Sequence, residues 1–412
     1  ARAEPVQDAP YQTMKPHRLA LIGSGHRGIH LLGKMTADPA RAELVAMADP
    51  RPERRDECLR AFPLPPEHAY HDHQALLEHA AELGIDAIVI ATMADTHHVV
   101  ARACIEAGLP IFLEKPITRT FDEAVDLVQF AEDSGARVQV GFNMRYMPFC
   151  QTLHDIVSSG VLGTILSINW TEAISLRHWT EGYSRNPSYN NTAKVGSWLL
   201  EKTCHDLDLF NWLLDKRCQR VASFGSRSFF RPRPDVPKRC TDGCPIIDEC
   251  LFAYVPEAAE MSAYLQTEEL DACVYHVDAD IVDRQTAIFE FEGGTTISFT
   301  LVPLAPEESR SMTFHGTEAT LTGSMAAGRI VVDSLRTGEQ TVHTISSAHE
   351  SHHGADEPTA AAFLDYLDDP ANLPRTGLDE GLEAVMMAHA ADRAAQEHCV
   401  VELEPLRRKG KS

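Results

Sequence analysis

Three glycines, spaced Gly23-Ser24-Gly25-His26-Arg27-Gly28, follow the apolar run Arg18–Ile22 and open a helical pattern through Leu31, Leu32 and Met35. A strand, a glycine turn and a helix in that order can cradle the pyrophosphate of a dinucleotide. Gly23 permits the tight turn, Gly25 lets the pyrophosphate approach the backbone, and Gly28 lets helix and strand pack closely. The helix N-terminus offers N–H donors to the phosphates, so Ser24, His26 and Arg27 join the cofactor candidates. Asp49 ends the next apolar run. It is placed to accept from a ribose 2′-hydroxyl and to repel a 2′-phosphate, which favours NAD. Arg51 and Arg54 stand close by and keep NADP open. A glycine turn that holds no ligand is the bland alternative.

The elements that must position this loop alternate. Glu43–Asp49 reads as a second strand and Ile85–Thr92 as a third, with helical stretches between. Such alternation implies βαβ units and a parallel sheet covered on both faces, a doubly wound Rossmann domain over 15–141. The texture then changes. Thr164–Trp170 has strand character. Thr286–Leu301 reads as a hairpin about Gly293-Gly294, with Ala287, Phe289, Phe291, Ile297, Phe299 and Leu301 alternating with polar residues. One apolar and one polar face mark an antiparallel sheet, so 142–405 is expected to be an α+β domain with an open, mainly antiparallel sheet. Arg231 to about Asp280 is rich in Pro and Cys and reads as an insertion. A helix is expected from Pro358 to Leu367, capped by Asp356.

At about 150 residues per domain, 412 residues suit two domains. Lys plus Arg number 37 and Asp plus Glu 60, a formal charge of −23, which disfavours nucleic acid and anionic lipid as general partners. The longest apolar runs, such as Ile85–Met93, are about nine residues against the roughly 20 that span a bilayer. Ala1–Thr13 has neither the basic start nor the apolar stretch of a secretory leader and reads as an extension before Met14. A cytoplasmic setting is expected.

Ile88-Val-Ile-Ala91-Thr92, Asp95-Thr-His97 and Glu114-Lys115-Pro116 resemble the glucose–fructose oxidoreductase, inositol dehydrogenase and rhizopine-catabolism family, Gfo/Idh/MocA. Gly141-Phe-Asn143-Met-Arg145-Tyr146 is similar to its domain junction, and Gly196 to Asp208 looks like its second catalytic motif. The resemblance implies a nicotinamide cofactor between the two domains and a substrate among sugars, cyclitols and related polyols. It places Ala91, Thr92, His97, Glu114, Lys115 and Asn143 by the cofactor, and Arg145 near substrate. Arg177-His178-Trp179 falls where the family forms its substrate pocket. Two departures stand out. The usual Asp-x-Gly-x-His reads Glu201, Thr203, His205 here, and the Cys-containing insertion is absent from the simplest members.

Oxidising a secondary alcohol sends a hydride to the nicotinamide and a proton to a base within hydrogen-bond reach. Lys115 and His205 are the candidates. A cis bond before Pro116 would hold Lys115 rigidly, and burial beside a cationic ring would lower its pKa toward neutrality. His205 titrates near neutrality unperturbed. Glu201, His205 and Asp208 fall at i, i+4 and i+7 on one helix face, where an acid can orient the imidazole. His205 is read as the direct base and Lys115 as the group that stabilises the developing alkoxide; the reverse assignment satisfies the same chemistry. Glu201 completes the catalytic set. Lys202, on another side of the helix, contacts substrate or solvent.

Six cysteines (Cys58, Cys104, Cys150, Cys204, Cys218, Cys399) read as free buried thiols of a reducing compartment. Cys240, Cys244, Cys250 and Cys273, with His276, could bind zinc, form a disulfide or stay free; no resident metal is assigned. His352-His353 is read as a pocket rim. Arg231, Arg233, Lys238 and Arg239 form a local basic group in an acidic chain. They would either focus an anionic substrate or pair with nearby acids. The apolar hairpin face, if no helix covers it, must be buried in a homodimer or homotetramer. Two further readings compete with a dehydrogenase: a glycoside hydrolase that oxidises transiently on bound NAD, and a sensor without catalysis.

Overall fold

The computed structural model describes residues 15–254, 270–346 and 354–409. Its first sheet is built from short, almost wholly buried runs. β1 (His17–Ile22), β2 (Ala42–Ala48), β3 (Ala69–Tyr70), β4 (Ala87–Ile90), β5 (Ile111–Leu113) and β6 (Val138–Val140) pair in parallel in the order β3-β2-β1-β4-β5-β6. Helices α1 (His26–Met35), α2 (Pro52–Ala61), α3 (His73–Glu78), α4 (Ala94–Glu106) and α5 (Phe121–Ser134) fall between the strands. Ala87 to Ile90 have no exposed surface, as a strand sandwiched between helical layers demands. The strand order reverses between β1 and β4, and the crevice beyond their carboxyl ends is where such sheets bind ligands.

α6 (Pro148–Ser158) leads to β7 (Ile165–Ser175), then α7 (Thr192–Val195), α8 (Trp198–Leu214) and β8 (Cys218–Ser226). β9 (Arg284–Phe291), β10 (Thr296–Ala305), β11 (Ser309–Gly316), β12 (Ala319–Ser324), β13 (Arg329–Ser334) and β14 (Gln340–Thr344) follow. α9 (Asp356–Asp368), α10 (Leu378–Glu397), β15 (Val401–Glu402) and α11 (Glu404–Lys409) end the described chain. The second sheet runs β14-β13-β12-β11-β7-β10-β9-β8-β15 and is antiparallel except where β7 meets β10. α/β overall, with a mixed, mostly antiparallel second sheet, is the predicted class.

One expectation about this sheet is overturned. Phe289, Phe291, Ile297 and Phe299 need no partner chain, because each is fully buried within one chain. Phe210 of α8 lies 5.9 Å from Phe289, 5.6 Å from Phe299 and 5.3 Å from Trp170, ring centre to centre. α10 packs beside α8 and on β8. Alternation correctly separated the two faces of the hairpin but said nothing of the helices that cover the apolar one. The opposite face carries Thr286, Ser298 and Thr300 together with Phe224 and Ile288, which are 79% and 50% exposed.

α9 also departs from expectation. It starts two residues before Pro358, its N-cap is Ala355, and Asp356 is buried in the first turn instead of capping. The helix returns to the first sheet: it packs on α1, and Phe363 meets Phe112 edge-on at 5.6 Å. No helix among the described residues is long and apolar enough to cross a membrane.

Candidate functional site

The glycine loop has the geometry a dinucleotide needs. Gly23 sits at φ +91°, and a Cβ there would lie 2.6 Å from the Ala91 carbonyl oxygen. A Cβ at Gly28 would lie 2.3 Å from the Gly23 oxygen. Both positions therefore exclude a side chain. At Gly25, the N-cap of α1, a Cβ would meet nothing within 4 Å, so the approach to the helix N-terminus is open. These residues fit a dinucleotide.

Asp49 is nearly fully buried at the end of β2. Its carboxylate accepts from the Ser24 N–H (3.0 Å) and from the Arg51 N–H (3.0 Å) and guanidinium (3.1 and 3.2 Å). It thereby ties the glycine loop to the second strand. Ser24 is turned inward: its hydroxyl donates to the Arg54 carbonyl at 3.1 Å, so it contributes backbone, not side chain, to the crevice. His26 is exposed at the loop.

Arg27 donates to Glu114 (2.6 Å) and Asp356 (2.8 Å), and Asn143 donates to the same Asp356 oxygen at 2.9 Å. Arg27 and Asn143 thus bind acids that join α1, the Glu114–Pro116 turn and α9. His97 is buried, with its ring nitrogens 2.7 Å from the Pro116 oxygen and 3.1 Å from the Thr92 oxygen. His97, expected by the cofactor, braces the turn that carries Lys115. Ala91 touches Gly23, and Thr92 is linked to Thr96 through their hydroxyls at 2.8 Å.

Lys115 precedes a cis peptide bond. Its ammonium meets α8, donating to the Glu201 carbonyl at 3.2 Å and facing the Glu201 carboxylate at 3.4 Å. Burial disfavours the charged amine, but Glu201, Cys204 and Glu114 outweigh it and hold the Lys115 pKa above its usual value. The expected lowering toward neutrality is thus reversed, because the sequence did not show that Glu201 would face the amine. Burial pushes the Glu201 carboxyl up, with Lys115 pulling the other way. His205, one turn along α8, packs edge-on to Phe142 at 5.8 Å.

Asp208 lies on the same helix face but is committed elsewhere. Arg145 grips it with two donors at 2.8 and 2.6 Å and donates to the Arg375 carbonyl at 2.8 Å. Burial raises the Asp208 carboxyl to about 6 despite this partner. Arg145, expected near substrate, is buried with these donors engaged by Asp208 and the Arg375 carbonyl. Trp179 is held in an aromatic cluster. It is 2% exposed and packs on Trp198 (4.4 Å) and Phe230 (5.8 Å). Arg177 is partly exposed, with Glu181 at 3.6 Å.

Lys202 stands 3.5 Å from Glu308 and 3.7 Å from Glu172, and His178 also pairs with Glu308. Burial opposes the Glu308 charge, yet His178 and Lys202 bring its carboxyl down to about 2. Glu172, Glu308, Arg310, Tyr183 and Tyr189 were missed by sequence reasoning. Only Glu172 left a signal: it alternates with Ile168, Trp170 and Ile174 on the buried side of β7, where burial raises its pKa. Arg310 holds Asp206 at 2.8 and 3.0 Å behind it.

A cavity of about 520 Å³ lies between α5 and α10, lined by residues such as Arg119, Asp122, His389 and Asp392. Cys240, Cys244, Cys250 and Cys273 line a space of only about 10 Å³, room for at most one water. All are free thiols, and among the described residues no three His, Cys, Asp or Glu are gathered as metal ligands. The His276 ring nitrogen faces the Arg233 and Val236 carbonyls instead. Of the six scattered cysteines, Cys399 is exposed, against expectation. Arg233 pairs with Asp235, and Arg239 with Asp271, so these insertion residues face local acids. His352 and His353 lie outside the described residues.

Residues 17–142 match the model for an oxidoreductase family with an NAD-binding Rossmann fold, and residues 150–322 match the GFO/IDH/MocA C-terminal domain. The inositol 2-dehydrogenase of Acidothermus cellulolyticus is 27% identical over 275 residues, 66% of this chain and 72% of that protein. An inositol dehydrogenase homolog from Azotobacter vinelandii, solved with NADH and myo-inositol, has a TM-score of 0.69 at 19% identity, covering 95% of this chain and 98% of its own. An oxidoreductase domain protein from Kribbella flavida gives a TM-score of 0.74 at 16% identity, covering 95% of this chain and all of its own.

Proposed function

This chain belongs to the GFO/IDH/MocA oxidoreductase family and carries its NAD-binding Rossmann domain, and we propose from this that it is an NAD-dependent dehydrogenase of a cyclitol or sugar. The carrying observation is the Lys115–Glu201 pair, which joins the first sheet to α8 one turn from His205. A nicotinamide bound in the crevice would supply the hydride acceptor. His205 takes the hydroxyl proton. Lys115, kept charged by Glu201, stabilises the developing alkoxide. Lys202, His178, Glu308 and Arg177 offer charged donors and acceptors to polyol hydroxyls. Asp49 favours NAD over NADP. Similarity to an inositol 2-dehydrogenase and to an inositol dehydrogenase homolog solved with myo-inositol supports the substrate class.

Purified protein with NAD+ is offered a panel of cyclitols, myo-inositol among them, and of aldoses, and absorbance at 340 nm is followed. NADH formed in step with substrate consumed is the expected result. Release of an aglycone from aryl glycosides with no net NADH would replace this reading with the redox-neutral hydrolase.

A further inference from the structure

The segment 185–196, between a π-helical turn (His178–Ser184) and α8, is anchored at both sides. On the first sheet's side, Arg119 donates to the Ala193 carbonyl, α7 packs on α4, and Gly196 lies against the Arg119 backbone, where a Cβ would come within 2.9 Å of its oxygen. On the other side stands the Cys-containing insertion, described over 227–254 and 270–283. Asp280 accepts from the Thr192 N–H at 2.7 Å and from its hydroxyl at 2.6 Å, and its own N–H donates to the Asn190 carbonyl at 3.1 Å. Arg185 reaches back to the Ala272 and Phe252 carbonyls at 2.6 and 2.5 Å.

Tyr189 lies in the middle of this bridge. Its ring meets Tyr183 edge-on at 6.2 Å. Its hydroxyl is within electrostatic reach of Lys115, Glu201 and Glu114 at one end and of Arg51 at the other. Those groups mark the two ends of the crevice: the Lys115–Glu201 pair, and the Asp49–Arg51 pair that closes β2. The segment that carries Tyr189 reaches the first sheet's side at Arg119 and α4, which follow β5 and β4 where the crevice opens. The described part of the insertion holds an aromatic cluster of Phe229, Phe230, Phe252 and Tyr275, so that part can serve as a firm support.

We propose that the insertion acts as a clamp on the cofactor site: Asp280 is a positioning residue that holds segment 185–196 down across the crevice, and Tyr189 is the side chain that this places against bound NAD(H). The inference rests on the NAD reading above. It gives the insertion a role in dinucleotide retention that needs neither its cysteines nor its basic residues to touch substrate.

The test uses the full chain and NADH fluorescence titration, which needs no substrate. Asp280→Ala and Tyr189→Ala should each raise the NADH Kd by about tenfold, the order expected for a lost charge-assisted hydrogen bond. The double variant should be little worse than either single one, since both act through one contact. Asp280→Asn, which still accepts from the Thr192 N–H, should recover most of the affinity. Amide exchange should quicken within 186–195 in Asp280→Ala and stay unchanged in the first sheet. Should Asp280→Ala fail to fold, Thr192→Val and Tyr189→Ala carry the same expectation. Folded variants with Kd within twofold of the parent overturn the clamp. A parent protein that binds no NADH overturns the cofactor reading and the clamp together.

Discussion

Glu201→Gln isolates the interaction that decides whether Lys115 is a base or a fixed charge. The parent pair stands at 3.4 Å with side chains 22% and 10% exposed. At an effective dielectric of 20, two unit charges at that separation attract by about 5 kcal/mol, an upper value before solvation is counted. An opposite charge at this range usually moves a pKa by about 1–3 units. Removing it leaves burial, which lowers the amine, as the dominant influence. The sign follows from linkage. A lysine whose folded pKa is raised contributes stability that is complete below its unfolded pKa and lost as pH rises through the folded one. In the parent that loss lies above the ordinary lysine range. In Glu201→Gln it should move down by about 1–3 units, into the accessible alkaline window. The alkaline limb of kcat/KM, measured by NADH formation, should shift in the same direction, and thermal unfolding should turn pH-sensitive over the same window. An alkaline limb and an unfolding profile superimposable on the parent's would refute the argument that Glu201 sets the charge of Lys115.

Other substitutions probe separate parts of the site. Lys115→Ala and His205→Ala should each lower kcat by about 10²–10⁴-fold with NADH affinity little changed; near-normal turnover in either makes that residue structural. NAD+ should bind more tightly than NADP+, and Asp49→Ala should weaken NAD+ by freeing the Ser24 loop while narrowing the gap to NADP+; paired titrations that favour NADP+ in the parent would contradict this. Arg145→Ala leaves Asp208 buried without its partner and should cost about 3–5 kcal/mol of stability, read as a large fall in Tm. For assembly, Phe224→Arg with Ile288→Glu on the exposed sheet face should dissociate a homo-oligomer in light scattering, and an assembly that survives both places the interface elsewhere.

The first sheet was legible because its signals are local. Leu19–Ile22 and Ala87–Ala91 are continuous apolar runs, and Gly23 and Gly28 occupy positions where steric contact excludes a side chain. The hairpin was half legible. Period-two alternation sorts Phe289 and Phe299 onto one face, but only the chain's return through α8 and α10 decides that this face is covered. Segment 176–196 left no periodic signal at all, so Tyr183 and Tyr189 were invisible as site residues.

α8 shows where such reading stops. Its spacing put Glu201, His205 and Asp208 on one face, as expected for acids that orient an imidazole, and the helix forms over that stretch. The two acids are nevertheless bound by different cations. Glu201 meets Lys115, 86 residues away along the chain, and Asp208 meets Arg145, 63 residues away. A helix face follows from spacing alone because 3.6 residues per turn is a property of the backbone. The partner of each side chain on that face is set by the crossing of two sheets, and a buried acid is drawn to the nearest cation that crossing delivers. The electrostatics of Lys115 therefore depend on how the first sheet is docked against α8.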